Sequence, residues 1–99
     1  MYMRIIAVKT LKLFWKRHND TEQPLKAWYA EVKAANRRSP AEIKRFYRSA
    51  SILGNNRVVF NIKGNSYRLV TAVNYNFKIV YIRFIGTHKE YDKINAEEI

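Results

Sequence analysis

The stretch RVVFNIKGNSYRLV, residues 57–70, decides how the chain folds. Its first half alternates, with Val58, Phe60 and Ile62 on one side of an extended strand and Arg57, Val59, Asn61 and Lys63 on the other. KGNS then interrupts the pattern over a length that suits a hairpin, and a β-rich run from Tyr67 to Val73 follows. Read this way KGN is a hairpin turn, with a phosphate-cradling nest as the rival reading. Arg68 stands flush with Val70 and Ala72, so pattern alone leaves open which face the second strand turns to the core.

Toward the C-terminus, NYNF at 74–77 separates this hairpin from a third β-rich run, Lys78 to Ile85. Val80, Ile82 and Phe84 are expected to pack inward, with Tyr81 and Arg83 opposite them. Toward the N-terminus, GNN at 54–56 closes a half with helical periodicity. Ser39, Pro40 and Glu42 form a compact start signal, a cap with proline at the first helical position and a capping-box glutamate, for a short helix to about Tyr47. Leu25, Trp28, Tyr29 and Val32 lie on one face of an earlier helix, with Asp20 or Thr21 as N-cap and Pro24 in the first turn. That helix is expected to fade near Ala35 and Asn36. Leu11, Phe14, Trp15 and His18 repeat the spacing from Thr10 onward, until HNDT breaks it. Met3 to Val8 reads as a strand, and Met3 is an alternative start. The fold class is α+β: an N-terminal strand and helices packed on one face of a small, mainly antiparallel β-sheet. Trp15, Trp28 and Tyr29 are read as core, and His18 as a partly buried packing residue.

With 99 residues the chain suits one domain, 1–99, and its 47% hydrophobic content supports a core. Nineteen Lys and Arg against eight Asp and Glu give a net charge of +11, which attracts polyanions, with nucleic acid or an acidic protein as partner. The absence of cysteine excludes disulfide and thiolate chemistry. Two distant histidines offer no metal-ligand spacing, so neither a metal nor another cofactor is expected. No Gly-rich phosphate loop or nucleophile elbow occurs. MYMRIIAVKT is too short in its apolar run for a secretory signal, so a cytoplasmic protein with no membrane partner is expected.

Two features carry chemistry. The sheet side bearing Arg57, Lys63, Tyr81, Arg83 and, in one orientation, Arg68 is either a platform for RNA phosphates and bases or a solvated face. The second is THKEYD, residues 87–92. Thr87 and Glu90 fit a capping box, which would start a helical turn whose N–H groups suit an anion. His88, Tyr91 and Asp92 would share a face of that turn. Cleaving RNA without a metal needs a base for the ribose 2′-OH, an acid for the departing 5′-oxygen and cations for the phosphoryl charge. An imidazole, titrating ordinarily at about 6.5, suits either proton role, and Arg or Lys the electrostatic one. His88, Tyr91, Lys89, Arg68 and Lys63 supply these parts, and a solvated tail is the competing reading.

RVVFNIKGNSYRLV and YIRFIGTHKEYDKI, placed in this order after helices, resemble the HigB family of bacterial toxins, within the RelE-like mRNA interferase superfamily. The likeness runs from RIIAVKTLKLFW through the tail. It implies a RelE-like microbial RNase fold and a type II toxin that cleaves translated mRNA in the A site of the 70S ribosome. It implies 2′-OH attack leaving a 2′,3′-cyclic phosphate and a 5′-OH, with growth arrest as the outcome. It also implies a HigA-type helix-turn-helix antitoxin, with operator DNA reached only through the antitoxin complex. Arg68 matches the phosphate-stabilising arginine on a central strand, His88 the residue beyond the last strand that acts on the leaving group or phosphate, and Tyr91 the C-terminal aromatic that stacks on a base or organises the 2′-OH. Lys63, Lys89, Arg57 and Arg83 are expected to bind RNA backbone. The chain lacks the extended C-terminal helix of some relatives and the residue set of RelE itself, which leaves the general base open between several groups. Two rival functions stay in view, a noncatalytic RNA- or ribosome-binding module and a degenerate toxin that regulates by binding antitoxin.

Overall fold

Residues 57–62 and 67–74 pair antiparallel without interruption, Arg57 opposite Ala72 and Ile62 opposite Tyr67. The computed structural model describes residues 3–35 and 39–99. Around that hairpin, β3 (Arg57–Ile62) and β4 (Tyr67–Asn74), lie β1 (Arg4–Ile6), β2 (Ser51–Ile52) and β5 (Ile79–Thr87) in the order β1-β5-β4-β3-β2. β2 to β5 form an antiparallel meander, and β1 joins β5 in parallel. The KGN segment is indeed a turn, with Lys63 and Gly64 in left-handed conformation at φ of 52° and 63°. A Cβ at position 64 would meet open space, so glycine answers the backbone there rather than crowding.

The helices are α1 (Val8–Arg17), α2 (Glu22–Ala34) and α3 (Pro40–Phe46), with a 3₁₀ turn at Asn19–Thr21 where HNDT breaks the periodicity. The expected N-terminal strand is shorter than Met3 to Val8, because β5 offers it only the rungs Ile79 to Tyr81, and helix begins already at Val8. Ser39 caps α3 by accepting from the Glu42 N–H at 3.3 Å, with Pro40 in the first turn. Thr21 occupies the cap position of α2, but its hydroxyl donates to the His18 carbonyl instead, and Asp20 serves elsewhere. α2 ends at Ala34 with Ala35 as its cap; Asn36, where it was also expected to fade, lies outside the described residues, as do Met1 and Tyr2. GNN does not close the helical half: it is the turn between β2 and β3, with Asn55 and Asn56 left-handed at φ of 57° and 59°.

The helices cover one sheet face. Val58, Phe60, Ile62, Leu69, Val73 and Val80 point into them and meet Leu11, Phe14, Leu25 and Trp28. Each such side chain removed from water contributes roughly 1.5–3 kcal/mol. Trp28 is core as expected, whereas Trp15 and Tyr29 pack on the core's rim and stay half-buried. His18 takes the packing place expected of it, stacked on Phe14 at 4.4 Å and edge-on to Tyr67 at 5.6 Å.

The other face departs from expectation twice. Opposite β5, Val70 pairs with Phe84 but Thr71 with Ile82, so Arg83 is an unpaired bulge residue. The extra residue switches the alternation: Val80, Ile82 and Ile85 face the helices, while Phe84, expected beside Val80 and Ile82, turns to the opposite side. There Phe84 joins Val59 and Val70 in a second core, closed by Leu53, Tyr91, Ile94, Ala96 and Ile99. The middle of the expected basic platform is therefore an apolar seam beneath the C-terminal tail, and Arg68, Val70 and Ala72 face it.

Gly86 is the tight point of that seam. A Cβ there would lie 2.6 Å from Phe84 Cζ and 2.9 Å from Glu90 Oε1. Gly86→Ala is predicted to lower stability by about 1–3 kcal/mol by overpacking; urea unfolding followed by circular dichroism measures it, and a midpoint equal to wild type would contradict the contact.

Candidate functional site

Where β5 ends, Thr87 and Glu90 form the expected capping box and start α4 (His88–Tyr91). Thr87 Oγ1 accepts from the Glu90 N–H at 3.2 Å, and Glu90 Oε1 accepts from the Thr87 N–H at 2.8 Å. The His88 N–H donates to the Ser66 carbonyl across the β3–β4 turn at 3.3 Å. These bonds occupy the Thr87, His88 and Glu90 amides of the turn that was expected to seat an anion.

Arg68 and Tyr91 meet on the tail-side face. Arg68 lies opposite Gly86, its Cζ 5.9 Å from the centre of the Tyr91 ring. Asn65 holds the guanidinium from the turn, its amide oxygen accepting from Nη2 at 2.7 Å and its carbonyl from Nη1 at 3.1 Å. His88 is about half exposed, with Nε2 3.8 Å from Asp92 Oδ1 one helical turn on. Arg68, Tyr91, His88 and Asp92 thus share the end of the sheet where the Asn65–Ser66 turn meets α4. Asn65 was missed in the sequence because it stood inside a turn signal; an amide three residues before an arginine was the available clue.

The remaining predicted residues disperse. Lys63 belongs to the turn rather than to the tail-side face, and its ammonium donates to Asp20 at 2.8 Å. Asp20 also accepts from the Tyr67 hydroxyl at 3.0 Å. Arg57 was expected to bind RNA, yet Nε and Nη2 donate to the Ile99 main-chain oxygen at 3.0 and 2.6 Å, and Nη1 to the Asn55 carbonyl. It is a clamp for the tail. Arg83 is exposed at the bulge and leans over Tyr81, with its Cζ 5.6 Å from the ring centre. Arg57 and Tyr81 flank Ala72, four residues along β4 from Arg68, so they stand about 13 Å from it at the usual strand rise. Lys89 is exposed on α4, next to His88. Among the described residues no three His, Asp or Glu side chains gather closely enough to hold a metal ion, and no helix is long and apolar enough to cross a membrane.

Electrostatics stiffen the frame around the site. The Lys63 ammonium, with help from the Tyr67 hydroxyl, holds the Asp20 carboxyl below the usual range. Asp20 in turn raises Lys63 above its ordinary value. Burial, then the bond to Asp20, pushes Tyr67 up. Glu90 is held down first by the Thr87 N–H, against its own desolvation, with the charges of His18 and Arg17 adding to the effect. α1 is thereby coupled to the turn that carries His88.

Residues 21–94 match the family model HigB_toxin, the RelE-like toxic component of a toxin-antitoxin system. The chain belongs to the HigB toxin family. No curated protein matches it. The α+β architecture with a mostly antiparallel sheet agrees with a RelE-like fold. The matched span takes in α2, the meander and α4, and with them Arg68, His88 and Tyr91; α1 lies outside it. Membership in this HigB family implies an antitoxin as partner.

The Asp20–Lys63–Tyr67 group predicts a pH signature. A carboxyl whose folded value is depressed stabilises fully above its unfolded value, about pH 4, and that contribution fades as pH falls through the depressed value. The urea midpoint of Asp20→Asn should lie below that of wild type at pH 6, with the gap narrowing between about pH 4 and 2. A gap independent of pH would deny the pair its charge.

Proposed function

We propose that residues 1–99 form a single toxin domain that acts in the cytoplasm as a metal-independent, ribosome-dependent mRNA interferase. The family match names a toxic component, and the observation that carries the chemistry is the meeting of Arg68 with Tyr91 beside the His88–Asp92 pair. In this reading the mRNA lies across the end of the sheet with a base against Tyr91. The 2′-oxygen loses its proton to a general base and attacks the adjacent phosphorus, the P–O5′ bond breaks, and a general acid protonates the departing 5′-oxygen. His88 serves as acid or base, with Asp92 placed to orient the imidazole and stabilise its protonated form. Arg68, pre-aligned by Asn65, meets the charge that builds on the non-bridging oxygens. Lys89 and Arg83 contact backbone on either side, and Lys63 supports the site through Asp20. A HigA-type helix-turn-helix antitoxin silences the enzyme, and operator DNA is reached through that complex.

Induced expression with mapping of new 5′ ends on cellular mRNA tests the reading. Wild type should arrest growth and cut translated mRNA in phase with codons. His88→Ala should slow cleavage by about 10²–10⁴-fold, and Arg68→Ala by about 10²–10³-fold, with both proteins folded. RNA binding without cuts would instead mark a noncatalytic RNA- or ribosome-binding module. Antitoxin binding with neither activity would mark a degenerate, regulatory toxin.

A further inference from the structure

The helical layer carries a feature that the proposed chemistry does not use. Lys9, Lys12 and Lys16 recur at i, i+3 and i+7, which aligns them on one face of α1, and all three are exposed. No acidic residue occurs anywhere in α1. Beside this ladder a crevice of about 240 Å³ opens between α1 and α2, lined by Val8, Leu11, Lys12, Trp15, Lys26 and Tyr29. Its two aromatic rings are roofed by cations, Lys26 Nζ 5.5 Å from the centre of Trp15 and Lys33 Nζ 5.4 Å from that of Tyr29. The helices cover the sheet face opposite Arg68 and Tyr91, so this surface points away from the candidate cleavage site. The ladder also lies outside the matched span of residues 21–94.

We infer that the outer face of α1 and α2 is a second nucleic-acid surface, which docks the phosphate backbone of double-stranded RNA. Three observations select this occupant. The ladder of Lys9, Lys12 and Lys16 is made of compact point charges suited to phosphate, without arginine forks among its three rungs, whereas Lys26 beside it is paired with Glu22. Lysine is depleted in the cores of protein–protein interfaces, which argues against an acidic protein here. An ammonium group lies over each of the Trp15 and Tyr29 rings and both side chains are only partly exposed, so a base stacking there would have to displace Lys26 or Lys33, whereas the sugar–phosphate backbone can be met without that, as in shape-based recognition of duplex RNA. The inference does not require the chain to cut RNA.

Titration of the full chain with a blunt RNA duplex, followed by tryptophan fluorescence and by anisotropy of a labelled duplex, tests it. Trp28 is only 3% exposed and serves as a buried reference, while Trp15 should respond as phosphates draw Lys26 off its ring. Trp15→Phe should remove the fluorescence change. Lys12→Gln/Lys16→Gln should weaken duplex binding at least tenfold and reduce the slope of log K against log salt by about 2, one unit for each phosphate no longer neutralised. His88→Ala should bind the duplex as wild type does. Unchanged affinity and slope in the double lysine variant would overturn the inference, as would displacement of the duplex by poly-glutamate of matched charge. Duplex binding that persists in a protein unable to cut mRNA leaves this inference standing while the cleavage reading falls. Cleavage without lysine-dependent duplex binding does the reverse.

Discussion

The unpaired Arg83 in β5 is the constraint on which the rest of the molecule depends. One inserted residue lets a single strand serve both faces of the sheet. Before it, Val80 and Ile82 fill the helix-side core; after it, Phe84 turns to the tail and Ile85 returns to the helices. The same shift sets Gly86 beside Arg68 and brings Thr87 opposite Tyr67, where it can cap α4. A strand with unbroken alternation would send Phe84 into the helices and take it away from Val59 and Val70. The candidate site is thus placed by a packing decision made several residues away from it.

A chain of net charge +11 repels itself, and the distribution of its eight acids shows how the fold answers that. Asp20 ties the β3–β4 turn to the segment between α1 and α2, and Glu90 caps α4 within reach of Arg17 and His18. Asp92 sits beside His88. Three of the scarce carboxylates are therefore placed at joints around one end of the sheet, and the lysines of α1 are left uncompensated along their own helix. Cohesion and attraction for anions are assigned to different parts of the surface.

Much of this was legible in the sequence because it was local. The β3–β4 hairpin, the Ser39 cap, the capping box of Thr87 and Glu90 and the helical faces each depend on residues a few positions apart, and periodicity or spacing records them. The bulge was not legible, since one extra residue in an apolar strand leaves the composition unchanged. Nor was the direction of Lys63: alternation assigned it to the strand, but its left-handed backbone took it out of register and toward Asp20. Arg57 read as a free cation because its partner, the main-chain oxygen of Ile99, carries no side-chain signal. Of the candidate site, Arg68, His88 and Tyr91 stood out by residue type and the resemblance gave each its expected role, whereas the Asn65 brace and the tail beneath them required the folded chain.

The parallel pairing of β1 with β5 has a consequence for when the protein becomes competent. Arg4 waits for Ile79, and the seam over Val59 and Val70 waits for Ala96, so the sheet edge cannot close before β5 is joined, nor the second core before Ala96 is. A growing chain emerges N-terminal first. A chain that has emerged only as far as β4 therefore lacks the pairing partner of β1, the capped turn at His88 and the segment that closes the second core, so the candidate site is assembled last among these elements.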